Sequence, residues 1–317
     1  MKGGRGLGSR LLFCSKGGVR MGEMRGRAAA AAQLNTGYLW LLGTAVAWSF
    51  SGVFTKLNGQ PGFLISAIAS LVALLFYAIV IRPTIRISRL VVAAGIASYL
   101  MGITFTYANK LTSVGSAIVL QYSSMAFVAL YEAIEQRRIP PARKVLVIVM
   151  ALAGMVVFFL DSLSFEHVLG NLLAIVSGAF FGLMFFLNAK PGSSPVTSSM
   201  LSCAISVLPG LFFLPRIPHI LPREWALMTA SGIVCSGLAN VCFARGITRV
   251  QPLTANLITM LEVVFAPTWA FIFFHERFGR FALAGTVLII GSIIVNLVLE
   301  QRERDACAAQ PVCEAAR

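Results

Sequence analysis

Glu262 is the residue with the clearest chemical reach. It stands near the middle of Val250–Phe278, VQPLTANLITMLEVVFAPTWAFIFFHERF, an apolar run long enough to cross a bilayer, for which ~20 residues suffice. An ionised carboxylate at that depth costs on the order of 2.5–3.5 kcal/mol even on the lenient insertion scale. A chain that keeps one there neutralises it, pairs it, or turns it toward a wet cavity, where it can bind substrate or carry a coupling proton. On an ideal helix Ala255, Thr259, Glu262, Ala266 and Trp269 share one side, with Asn256 at its edge. Upstream, Ala117, Gln121, Ser124, Met125, Val128 and Glu132 form a second polar stripe. Two such faces are what a central cavity needs. For Ser124, Asn256 and Thr259 the competing reading is that small polar residues only hold helices together.

Asn240, inside GLANVCFARG, has a side chain for a substrate or for a neighbouring helix. Trp48 follows Gly43 and Ala47 beside a small-residue stripe that ends at Ser51, and with Trp269 it offers apolar walls. Glu132 and Glu135 sit near Arg137 and Arg138, which predicts ion pairs at a helix end. His167, His219 and His275 fall at helix ends, and His275-Glu276 lacks the second histidine of a zinc protease. No nucleophile elbow or phosphate loop is present, and the six cysteines show no CxxC spacing. The expectation is a protein that is not an enzyme, with no cofactor and no metal.

The elements that must position these residues are membrane-spanning. The 317 residues are 57% hydrophobic and 12% charged, with mean hydropathy +0.82, where soluble domains carry about 25% charged residues. Lys and Arg exceed Asp and Glu by 26 to 12. Seven of the 26 lie in the first 27 residues and most others in short connections, the distribution of cytoplasmic loops rather than of a nucleic-acid surface. The partners expected are the lipid bilayer and a small-molecule substrate, with no nucleic acid. The oligomeric state stays open, a homodimer being one option.

The expected architecture is an all-α integral membrane protein of ten transmembrane helices. Ten apolar segments fall near 37–57, 62–81, 90–109, 114–134, 144–160, 168–188, 196–214, 225–244, 253–274 and 280–299. Residues 1–36 are expected to be a basic, disordered tail, with a transit peptide or an extension upstream of Met21 or Met24 as the competing readings. Residues 300–317 are expected to be a polar tail. In the first half Arg82, Arg86, Arg89, Arg137, Arg138, Arg143 and Lys144 join the N-terminal cations on one side, against Lys56 and Lys110 on the other. That bias places both termini in the cytoplasm. The membrane expected is a plasma or inner membrane, an organellar one being the alternative.

The halves 37–160 and 168–299 repeat. Gly37-Tyr38-Leu39 matches Gly170-Asn171-Leu172, Tyr107-Ala108 matches Phe243-Ala244, Gln121 matches Thr259, and Ser124 matches Glu262. Five spans per unit force the second copy into the membrane from the other side. Such inverted repeats place a substrate site near the midplane between the halves.

These residues resemble the drug/metabolite transporter superfamily in its EamA-domain form, over nearly all of 37–299. The likeness rests on Ala47-Trp48-Ser49, on Tyr107-Ala108 before Thr112-Ser113, and on Leu261-Glu262 through Pro267 to His275-Glu276-Arg277-Phe278. Departures are Gln136-Arg137-Arg138 where Gly-Glu-Arg is usual, and Pro267 five residues after Glu262 rather than adjacent. The resemblance implies a secondary transporter working by alternating access around a cavity. It implies an exporter of a small polar or amphipathic metabolite, an amino acid or drug-like compound, with protons as a possible coupling ion. Glu262 would couple or bind, Gln121, Thr259 and Asn240 would give hydrogen bonds, and Trp48 and Trp269 would form the walls. A sugar-phosphate or nucleotide-sugar exchanger is the alternative within the superfamily, and a non-transporting membrane scaffold the alternative outside it.

Overall fold

The computed structural model describes residues 32–163, 167–275 and 281–309. Most of the expected N-terminal tail, Glu276-Arg277-Phe278 and residues 310–317 lie outside the described residues. Helices account for all regular structure among those described. They are α1 (Ala32–Lys56), α2 (Gly62–Ile81), α3 (Arg89–Leu111), α4 (Val114–Gln136), α5 (Ala142–Phe158), α6 (Val168–Asn188), α7 (Pro195–Phe213), α8 (Pro222–Ile247), α9 (Pro252–Phe273) and α10 (Ala282–Ala309). All but the 17-residue α5 are long and apolar enough to cross a membrane, nine among the described residues. The protein is a multi-pass integral membrane protein.

Local chemistry sets the helix ends. Pro195, Pro222 and Pro252 open α7, α8 and α9, at a position where the missing N–H has no intrahelical partner to lose. Ser88 and the Ser113 hydroxyl accept from Val91 N and Ser116 N at the starts of α3 and α4. Arg82 and Arg137 close α2 and α4 in the left-handed region, at φ 47° and 51°. This turn takes Arg137 and Arg138 off the helix, and the carboxylates find other partners. Glu132 pairs with Lys144 at 2.9 Å and Glu135 with Lys190 at 2.6 Å, tying α4 to the start of α5 and the end of α6.

α3 packs on α6 and α7, α2 on α7 and α8, and α5 on α10. At one end of the bundle the Glu224 carboxylate accepts from Leu221 N at 3.1 Å, Gly59 N at 3.2 Å and Gln60 Nε2 at 2.8 Å. It closes the first turn of α8 and stitches the α1–α2 connection to it. α10 does not stop where hydropathy falls. It runs on through residues 300–309, and Glu300 is buried, because Thr254 and Arg304 supply its carboxylate with donors.

In α8 the stretch Gly232–Leu238 widens into a π-helical turn, the kind of irregularity that frees a carbonyl. The hydroxyl of the fully buried Tyr77 donates to Ser236 O at 2.6 Å, and Asn240 Nδ2 donates to the same oxygen at 2.8 Å. Tyr77→Phe is expected to destabilise the detergent-solubilised protein by about 1 kcal/mol, read as a lowered melting temperature. An unchanged melting temperature means that Asn240 alone satisfies this carbonyl.

Candidate functional site

α4 and α9 are both broken. Regular winding stops after Gln121 and resumes at Ser124, and stops after Thr259 and resumes at Glu262. The halves are α4a (Val114–Gln121), α4b (Ser124–Gln136), α9a (Pro252–Thr259) and α9b (Glu262–Phe274). The hydrogen bonds at the two breaks correspond one for one. Ser123 N, Met125 N and Ala126 N donate to Leu120 O, Tyr122 O and Ser123 O. Leu261 N, Val263 N and Val264 N donate to Ile258 O, Met260 O and Leu261 O. Each N–H has switched from the acceptor four residues back to the one three back, a single tight turn. Gln121 and Thr259, matched in the sequence repeat, therefore each end a half-helix at the same place in their own half. Interrupted spans at corresponding positions of two halves mark a binding site in transporter folds.

The two breaks are bonded across the fold. The Tyr122 hydroxyl, in the first turn, donates to Glu262 Oε1 at 2.6 Å, and Asn256 Nδ2, just before the second, donates to Ser124 Oγ at 2.9 Å. Tyr122 is fully buried, whereas Glu262 keeps part of its surface open. Two polar atoms here are buried without a hydrogen-bond partner among the described residues, Ser123 Oγ and Asn256 Oδ1.

Aromatic rings surround the crossing. Trp48 stacks on Phe243 at 5.9 Å and meets Phe181 at 6.3 Å, and Phe181 stands edge-on to Tyr122 at 6.0 Å. α1 is itself interrupted at Phe50. There the Trp269 indole donates to Ser49 Oγ at 2.8 Å and its ring stacks on Phe50 at 4.5 Å. The structure thus connects Glu262, Trp48 and Trp269 through Tyr122, Phe181 and Ser49.

The other expected residues are bonded within the fold. Gln121 Nε2 donates to Ser177 Oγ at 2.9 Å, which in turn donates to Met101 O. Thr259 Oγ1 bonds Ala255 O and Asn256 O of its own helix, and Asn240 bonds Ser236 O. In these bonds Gln121 and Asn240 each use an amide N–H and Thr259 its hydroxyl proton. Tyr122 is the partner of Glu262 that helix faces alone overlook. Its signal was chemical: a phenol beside Gln121, Ser123 and Ser124 in an otherwise apolar span.

Comparison with known proteins follows this geometry. The profile of the EamA-like transporter family matches twice, over residues 35–160 and 168–298. The chain is 26% identical over 240 residues to the pseudopaline exporter CntI of Pseudomonas aeruginosa strain UCBPP-PA14, covering 73% of this chain and 83% of the relative. The same figures hold for the pseudopaline exporter CntI of the PAO1 strain. A solved crystal structure superposes with a TM-score of 0.72 at 21% sequence identity, covering 84% of this chain and 98% of that one, a likeness of fold alone. With two copies of the family's repeat accounting for most of its length, the chain belongs to the EamA-like transporter family.

Proposed function

We propose that the protein is a secondary transporter that exports a small polar or amphipathic metabolite by alternating access. The observation that carries this reading is the pair of matched helix breaks bonded to each other through Tyr122 and Glu262. In this reading the units 37–160 and 168–299 are inverted five-helix repeats, with α5 as the tenth span, its 17 residues at the short limit for crossing. Both termini lie in the cytoplasm, in a plasma or inner membrane. Glu262 couples transport to protons or binds substrate directly. Trp48 and Trp269 wall the path, and Gln121, Thr259 and Asn240 give hydrogen bonds to substrate.

The similarity to pseudopaline exporters supports the outward direction and makes pseudopaline the first compound to try. The test compares extracellular metabolites from cells expressing the intact chain and Glu262→Gln, both verified in the membrane. One compound class accumulating outside only with the intact chain is the expected result. A compound class that instead accumulates inside, driven by the intact chain, overturns the export direction.

A further inference from the structure

The Glu300 carboxylate is buried in the last turns of α10, yet the transport site does not use it. Its donors come from three helices. Thr254 of α9a donates to Oε1, while Arg304 Nη2 at 2.8 Å and the Tyr38 hydroxyl of α1 at 3.4 Å donate to Oε2. Asn296 Nδ2 adds a bond to Thr254 Oγ1 at 2.8 Å, and Arg304 also reaches the Tyr38 oxygen at 3.1 Å. One turn on, Arg143 at the start of α5 pairs with Glu303. A carboxylate accepting several bonds in a buried place makes strong, directional links, and losing one partner leaves the remainder unsatisfied.

What this cluster grips is short. α9a has eight residues, entered from an extended Gln251 and left through the tight turn at Met260–Leu261. Its polar side chains make three described hydrogen bonds to other helices, Thr254 with Glu300 and Asn296 and Asn256 with Ser124, and Leu253, Leu257 and Ile258 are buried in the core beside them. Beside its first residues a cleft of about 410 Å³ opens between the ends of α4, α6 and α8, lined by Glu135, Lys190, Arg249, Gln251 and Pro252 among others. Glu262 is not in that cleft. It begins the helix on the far side of the turn that ends α9a.

We propose that Glu300 is the bolt of a gate at this end of the bundle. α9a is the moving leaf, the Met260–Leu261 turn is its hinge, and the cleft is the mouth that deepens toward Glu262 when Thr254 leaves Glu300. Glu300 is a positioning residue, since it acts on the path through α9a and touches no substrate. The gate rests on the transporter reading, but its test does not require transport.

The experiment places spin labels at Gln136, at the end of α4, and Gln251, before α9a, both of which line the cleft, and measures their distance distribution in the full chain in lipid nanodiscs. Losing a charge-assisted hydrogen bond shifts such a balance by roughly tenfold to a hundredfold. Glu300→Ala and the milder Thr254→Val are both expected to raise the long-distance population by that factor, with Glu300→Gln between them and the intact chain. Distributions unchanged in folded Thr254→Val and Glu300→Gln proteins overturn the proposal, even if Glu300→Ala fails to fold. A shifted distribution in a chain that exports nothing supports the gate while removing the transporter reading. Export by the intact chain with no shift in the variants does the reverse.

Discussion

Glu262→Gln is expected to abolish transport driven by a pH gradient in reconstituted vesicles while leaving downhill movement of the same compound. The size follows from the cost of the charge. An ionised carboxylate near the midplane costs roughly 2.5–3.5 kcal/mol, which is about a hundredfold in an equilibrium constant. If the empty carrier must neutralise Glu262 before it can change state, the proton gradient acts through that factor, and a glutamine, always neutral, no longer responds. Tyr122→Phe separates this role from simple packing. It removes the hydroxyl that donates to Glu262 Oε1 but leaves the carboxylate, so uptake of protons should persist with an altered rate. Equal loss of gradient-driven and downhill movement in Glu262→Gln identifies a substrate-binding carboxylate instead. Unchanged transport in both modes removes Glu262 from the mechanism.

The helical architecture and the carboxylate were legible because both are expressed in local composition. Long apolar runs separated by Pro, Gly and Arg announce spans, and a lone acid inside one announces itself. The repeat alignment even paired Gln121 with Thr259, the two residues that end half-helices. What it could not show was the break. Helix faces drawn at 100° per residue assume uninterrupted winding, and each residue of a three-residue turn advances about 20° further. At the break it is Tyr122 that meets Glu262, while Gln121 meets Ser177.

Partners remote in sequence were invisible for a different reason. Glu300 looked like the first residue of a polar tail because hydropathy falls there, and the donor that buries it is Thr254, 46 residues earlier. Glu132 and Glu135 looked satisfied by their neighbours until the left-handed Arg137 redirected the chain. The small-residue stripe of α1 also misled in part. A side chain at Gly43 would meet Cys242 at 3.6 Å, ordinary contact, and Ser51 lies beyond the interruption, exposed. On α1 the tight contact lies outside the stripe, at Gly37, where a Cβ would lie 2.8 Å from Val250 Cγ2.

Gly178 and Gly182 of α6 carry the second large effect. A Cβ at Gly178 would lie 2.6 Å from both Gln121 O and Ser123 Oγ, and one at Gly182 would lie 2.7 Å from Ser124 O and 3.0 Å from Phe127 Cβ. Ser123 Oγ can swing aside, but Gln121 O and Ser124 O are backbone at the α4 break and cannot. The small-xxx-small spacing lets the two helices touch there. Gly178→Ala should therefore destabilise the protein by about 1–3 kcal/mol, despite the gain of up to ~1 kcal/mol that alanine brings to a helix interior. Adding Gly182→Ala should cost less than the sum, because both push on one turn. Gly102→Ala is the matched control, since nothing lies within 4 Å of a Cβ there, and it should be neutral or stabilising. Thermal unfolding in detergent reads the difference, and a Gly178→Ala protein as stable as Gly102→Ala refutes the tight contact. The prediction also reaches function. Neither glycine touches Glu262, but displacing the Tyr122–Ser123 turn moves the hydroxyl bonded to it, so gradient-driven transport should fall in Gly178→Ala even at temperatures where the fold is intact.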